Sequence, residues 1–115
     1  MSLFELLRRI GMAEDVARDM VDFVVDKTIW LIGSLAHLEA LRLNGMEVNR
    51  KEYSKVKESL EVACKYVDDE RIKPFVERLR WAVWDGNPEE LLDLASTAMR
   101  RAAGRRVEAW ARIFG

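Results

Sequence analysis

Four aspartates, Asp15, Asp19, Asp22 and Asp26, are spaced by four, three and four residues. On a helix that spacing sets four carboxylates along one ridge. Clustered carboxylate oxygens suit a divalent cation, a basic docking partner, or a solvated edge with local pairs such as Asp22 with Arg18. The ridge is expected to dock a basic partner, and no metal ligand is assigned.

The opposite charge gathers at the other end. Residues 1–48 carry five Lys or Arg against eight Asp or Glu, whereas residues 100–115 carry five Arg against one Glu. Arg101, Arg105 and Arg112 share one side of a helix, with Arg100 just off that ridge. Met99, Ala102, Ala103, Trp110 and Ile113 share the other side. A guanidinium fork pairs with phosphate or carboxylate equally well. The ridge is therefore expected to contact nucleic-acid backbone or an acidic partner, with Arg78 and Arg80 as further contacts. The two ends could also attract each other, within one molecule or between neighbours. A formal charge of -1 is low for a stand-alone nucleic-acid binder.

Aromatic residues add a second kind of surface. Trp30 and Trp110 fit apolar stripes and are expected in the core. Trp81 points away from the stripe Ile72, Phe75, Val76, Leu79 and Val83, and Trp84 lies at its flank. Tryptophan beside arginine is a composition found at the centres of protein interfaces. Trp81 and Trp84 are thus expected at a protein interface, with base stacking as the other use. Gly33, Ala36 and Ala40 would let another backbone approach closely, within the fold or across a subunit interface. The single histidine, His37, is expected to be partly buried and structural. The single cysteine, Cys64, forms no intrachain disulfide and is expected to be a packed thiol.

These residues are held by helices. From Ala13 to Asn44 the pattern predicts one long helix with two apolar faces. Val16, Met20, Phe23, Val24, Leu31, Leu38 and Leu41 form one. Val21, Val25, Ile29, Ile32, Ala36 and Leu43 form the other. A helix apolar on two sides should be surrounded, so this one is expected to be the central post. Ser2 with Glu5 and Asn49 with Glu52 have capping-box spacing. Asp68-Asp69-Glu70 suits a helix start, and Pro74 a first turn. Gly86-Asn87-Pro88 reads as a stop followed by a start. A fifth helix runs to Ala103 and pauses at Gly104, or continues to Phe114. No stretch alternates with period two.

The expected architecture is all-α: a single domain over residues 1–115, a compact bundle of five or six helices around a long central one. A chain of 115 residues, half of them hydrophobic, can bury a core of that kind. No apolar run approaches a membrane span, and there is no secretory signal pattern, so the cytoplasm is expected. The chain has no Gln and only three Asn. With its many Arg, Lys and Glu this suggests a thermophile.

Two resemblances add expectations. Asp85-Gly86-Asn87-Pro88-Glu89-Glu90-Leu91-Leu92-Asp93 resembles one turn of the all-α nucleoside triphosphate pyrophosphatases, in which Glu90 and Asp93 would match a magnesium-binding Glu-x-x-Asp. The acidic cluster that family carries on the preceding helix is represented only by Glu70 and Glu77. At the level of architecture, the short all-helical chain with basic helix faces is similar to the small subunits of archaeal CRISPR effector complexes. That resemblance implies a non-enzymatic, cofactor-free subunit of a larger complex contacting nucleic-acid backbone. The alternatives are a homo-oligomeric structural or adaptor protein without nucleic-acid binding, and a magnesium-dependent pyrophosphatase-like enzyme.

Overall fold

The computed structural model describes the backbone of residues 2–114 and the side chains of residues 2–104. It contains α1 (Leu3–Arg9), α2 (Glu14–Leu43), α3 (Arg50–Tyr66), α4 (Lys73–Asp85) and α5 (Pro88–Phe114), with no strand among the described residues. The all-α bundle around a long central helix is as expected. There are five helices rather than six because α5 passes through Gly104 without a break.

Local chemistry sets most of the boundaries. Ser2 Oγ accepts from the Glu5 amide at 3.2 Å, opening α1. Asn49 Oδ1 accepts from the amides of Lys51 and Glu52 and opens α3. Gly86 closes α4 with φ +63, a left-handed conformation open to glycine at little cost. Asn87 Oδ1 then accepts from the Glu90 amide at 3.1 Å to start α5. The acidic run at residues 68–70 does not start a helix, contrary to expectation. α4 begins at Lys73, and Asp69 instead accepts from the Arg71 amide and guanidinium, which holds a turn ahead of the helix.

Short connections reverse the chain after α2, α3 and α4. Tyr53 near the start of α3 reaches Glu39 near the end of α2, while Arg71 beyond α3 reaches back to Asp22. Arg78 in α4 meets Glu90 and Asp93 at the start of α5, and Phe75 lies under Arg101 further along. The four long helices therefore run up, down, up, down, and α5 lies antiparallel to α2. α1 packs on the first part of α2.

The core forms where these faces meet. Val25, Ile29, Ile32 and Ala36 of α2 pack with Leu60, Phe75, Leu79, Leu91, Leu94 and Ala98. The buried Thr28 hydroxyl donates to the Val24 carbonyl at 2.8 Å, so its polar atom is satisfied. Among the described residues no helix is long and apolar enough to cross a membrane.

One expectation fails over half its length. The apolar residues of α2 from Ile29 to Ala40 are buried apart from half-buried Trp30, but Val16, Met20 and Phe23 are 47%, 42% and 67% exposed. α5 is nearly as long as α2 but packs on the Gly33 side of it, and the remaining helices are too short to cover the other flank. At a rise of about 1.5 Å per residue, α2 spans about 45 Å, against about 26 Å for α3 and about 20 Å for α4. The shorter helices cannot cover the whole post.

Candidate interaction surfaces

The basic positions are partly consumed by the fold. Arg78 donates to Glu90 and to Asp93, each at 3.0 Å. The Glu90 bond pushes its pKa up against the opposing effect of burial, with the Asp93 bond adding to the rise. Arg78 was expected to contact a phosphate or an acidic partner; it instead ties α4 to α5, because helix reversal at Gly86 brings two carboxylates to its fork. The same contact engages the two residues that resemble a magnesium-binding pair. Arg80 is exposed, 3.8 Å from Glu77. Arg101 is half-buried, its guanidinium 5.5 Å from the centre of the Phe75 ring. Arg100 is exposed and its Nε donates weakly, at 3.4 Å, to the Ser96 carbonyl. The side chains of Arg105, Trp110 and Arg112 lie outside the described ones.

The acidic ridge is divided. Asp15 and Asp19 are exposed, whereas Asp22 and Asp26 are half-buried. Asp22 accepts from Arg71 at 2.8 Å, and Asp69 holds the other side of that guanidinium at 3.0 Å. Bonds from Asp69 first, then Asp22, push the Arg71 pKa above its ordinary value. The local pair expected between Asp22 and Arg18 is replaced: Arg18 turns back to Glu14 at 2.6 Å. Nothing in the sequence pointed to Arg71, because its partner lies 49 residues away. Among the described residues no group of three His, Cys, Asp or Glu is placed to hold a metal ion.

Gly33, Ala36 and Ala40 are buried inside this chain. A Cβ built on Gly33 would stand 3.0 Å from the Ala98 Cβ and 3.4 Å from the Ala95 carbonyl oxygen. Gly33 thus lies against the chain's own α5, and Ala36 and Ala40 are buried within the fold rather than presented to another subunit. Small residues on both helices allow the close approach. His37 at its edge is exposed, not partly buried. Cys64 is also exposed as a residue rather than packed, although partial desolvation pushes its thiol pKa up.

Two apolar surfaces stay open. On α4, Trp81 is 59% and Trp84 82% exposed, on the side away from Phe75, Leu79 and Ala82. Glu77 and Arg80 lie beside them. On α2, Val16, Met20 and Phe23 form a second stripe, and Leu6 and Ile10 of the adjoining α1 are also exposed. Sequence reasoning missed this second surface by treating the face as core; the mismatch in helix lengths was the available signal. Trp30, further along α2, is half-buried with the Lys27 ammonium 4.5 Å from its ring centre.

An open hollow of about 780 Å³ lies beside the turn between α2 and α3, lined by Arg42, Met46, Val48 and Tyr53 among others. Arg42 stacks at 4.8 Å on Tyr53 and pairs with Glu39 at 3.4 Å. Tyr53 donates to Glu39; burial first, then that bond, raises its pKa. Arg42 and Tyr53 at this hollow are therefore both held by Glu39.

Comparison with protein-family models, curated proteins and solved structures finds no match to this chain.

Proposed function

We propose that this chain is a non-enzymatic assembly subunit, a homo-oligomeric structural or adaptor protein that works through its outer surface. The observation that carries this reading is the pair of separate exposed apolar surfaces, the α4 tryptophans and the first half of α2. Single exposed apolar side chains are ordinary, but grouped ones mark interaction sites. Tryptophan with arginine alongside is typical of the residues that dominate binding energy at interfaces. Arg78, in contrast, is neutralised within the fold, which weakens the case for a phosphate-binding α4. Light scattering of the purified chain over a wide concentration range tests the reading. A mass that rises to a multiple of 13.3 kDa is expected. A monomer at every concentration would overturn self-assembly.

A second reading is nucleic-acid backbone binding, as the similarity to small subunits of CRISPR effector complexes implies. It draws support from the unbroken course of α5, which puts Arg101, Arg105 and Arg112 on one helix with Arg100. Fluorescence anisotropy with single- and double-stranded probes across a salt series tests it. Binding should weaken steeply with salt if phosphates are the target. Substitution of Arg101, Arg105 and Arg112 by Glu should abolish it, and unchanged binding would remove this reading.

A further inference from the structure

We infer that α3 is a strap: it is fastened to α2 chiefly at its two ends, and it opens as one unit while α2, α4 and α5 stay packed. This goes beyond the assembly reading and does not depend on it. α3 buries little. Leu60 is the one buried residue among its 17, whereas α4 buries Phe75, Leu79 and Ala82 within 13. Tyr53, Val56 and Ala63 are partly buried against the core, and every other residue of α3 is exposed.

The rest of the bundle closes without it. α3 packs chiefly on α2. α5 meets α2 at Gly33, and Arg78 ties α4 to α5, neither contact passing through α3. Ile29, Ile32, Phe75, Leu79, Leu91 and Leu94 belong to one cluster drawn from α2, α4 and α5. Elements with few buried apolar contacts open at lower free energy than the core does.

The fastenings lie at the ends. Where α3 starts, Tyr53 donates to Glu39 of α2, and Arg42 of α2 stacks on its ring at 4.8 Å. Where α3 stops, Val67 is buried, and Arg71 just beyond donates to Asp22 of α2 at 2.8 Å. Between these points Leu60 is the single buried anchor. Both fastenings must let go for the helix to leave, so each governs the whole of it. Opening bares the side of α2 that α3 covers, a surface hidden in the packed structure.

Native-state hydrogen exchange of the full chain in low urea tests the strap, on the wild type, Tyr53→Phe, Asp22→Asn and Arg78→Met. The amides of residues 56–63 should share one urea dependence and exchange about tenfold or more faster than those of residues 94–98 in α5. Tyr53→Phe and Asp22→Asn should each speed the whole of α3 by about two- to fivefold, at the far end as much as near the change. Arg78→Met should speed residues 94–98 by a similar factor and leave α3 unchanged, because the tie between α4 and α5 persists while α3 is open. Equal rates in α3 and α5, or an α3 that Arg78→Met speeds as much as α5, would mean that α3 opens only with the whole molecule and would overturn the strap. A Tyr53→Phe effect confined to the first turns of α3 would be fraying and would overturn the single unit.

Discussion

Gly33 of α2 faces Ala98 of α5 so closely that a Cβ on the glycine would stand 3.0 Å from the alanine Cβ. Two helix backbones meet there, and the two nearest atoms, an alanine Cβ and a backbone carbonyl oxygen, cannot yield by a side-chain rotation. Alanine would favour the helix by up to about 1 kcal/mol, but the contact must be relieved by moving α5. Gly33→Ala should therefore bring no gain in stability. Gly33→Leu should cost about 3 kcal/mol through overpacking. Thermal unfolding followed by circular dichroism reads both; an unchanged Tm for Gly33→Leu would mean the two helices are not in close contact.

Gly104 is the counterpart. It lies inside α5 with nothing within 4 Å of a Cβ built on it. Gly104→Ala should stabilise the protein by about 0.5–1 kcal/mol, because alanine loses less backbone freedom on folding. Urea unfolding measures the change. A loss in place of the gain would mean that α5 is interrupted at this residue.

Arg71 and Arg78 each bind two carboxylates, but in unequal surroundings. The Arg71 side chain is 30% exposed and its partners Asp69 and Asp22 20% and 47%, whereas Arg78 is 36% exposed and its partners 45% and 65%. Solvent screening should make Arg78→Met the milder change, at about 0.5–1 kcal/mol. Arg71→Met should cost about 1–2 kcal/mol, since charge-assisted bonds strengthen as water is excluded. A double-mutant cycle of Arg71→Met with Asp22→Asn should show positive coupling that declines in high salt. Absence of coupling would mean that the turn before α4 is not fastened to α2.

Tyr53 supplies a pH test. Its folded-state pKa is raised above the ordinary 10.0, by burial and by donation to Glu39. The stabilisation from the neutral phenol is fully present below the unfolded pKa and is lost as pH rises through the folded pKa. Tyr53→Phe should cost about 1 kcal/mol at pH 7. The gap to wild type should narrow above pH 10, where the unfolded tyrosine releases its proton more readily than the folded one. Chemical denaturation at pH 7 and at pH 11 measures the gap at each, and a gap that widens would contradict the assignment.

The sequence alone determined the helices and most of their ends, the start of α4 excepted. Ser2, Asn49, Gly86 and Asn87 act on amides and carbonyls within a few residues, so their effects can be read from spacing. The outward position of Trp81 was legible for the same reason, since helical periodicity decides which side opposes a stripe. Tertiary structure decided which charges and faces remain available. Arg78 meets Glu90 only because the chain reverses at Gly86, and Arg71 meets Asp22 across 49 residues. Gly33 and its small neighbours could have served another subunit, but α5 lies against Gly33 and all three are buried within the fold. The apolar stripe of Val16, Met20 and Phe23 carries the same pattern as the buried stripe that continues it. Its exposure follows from the side of α2 that α5 takes and from the reach of α3 and α4, because burial depends on what lies opposite a residue, and one helix's own pattern does not contain that.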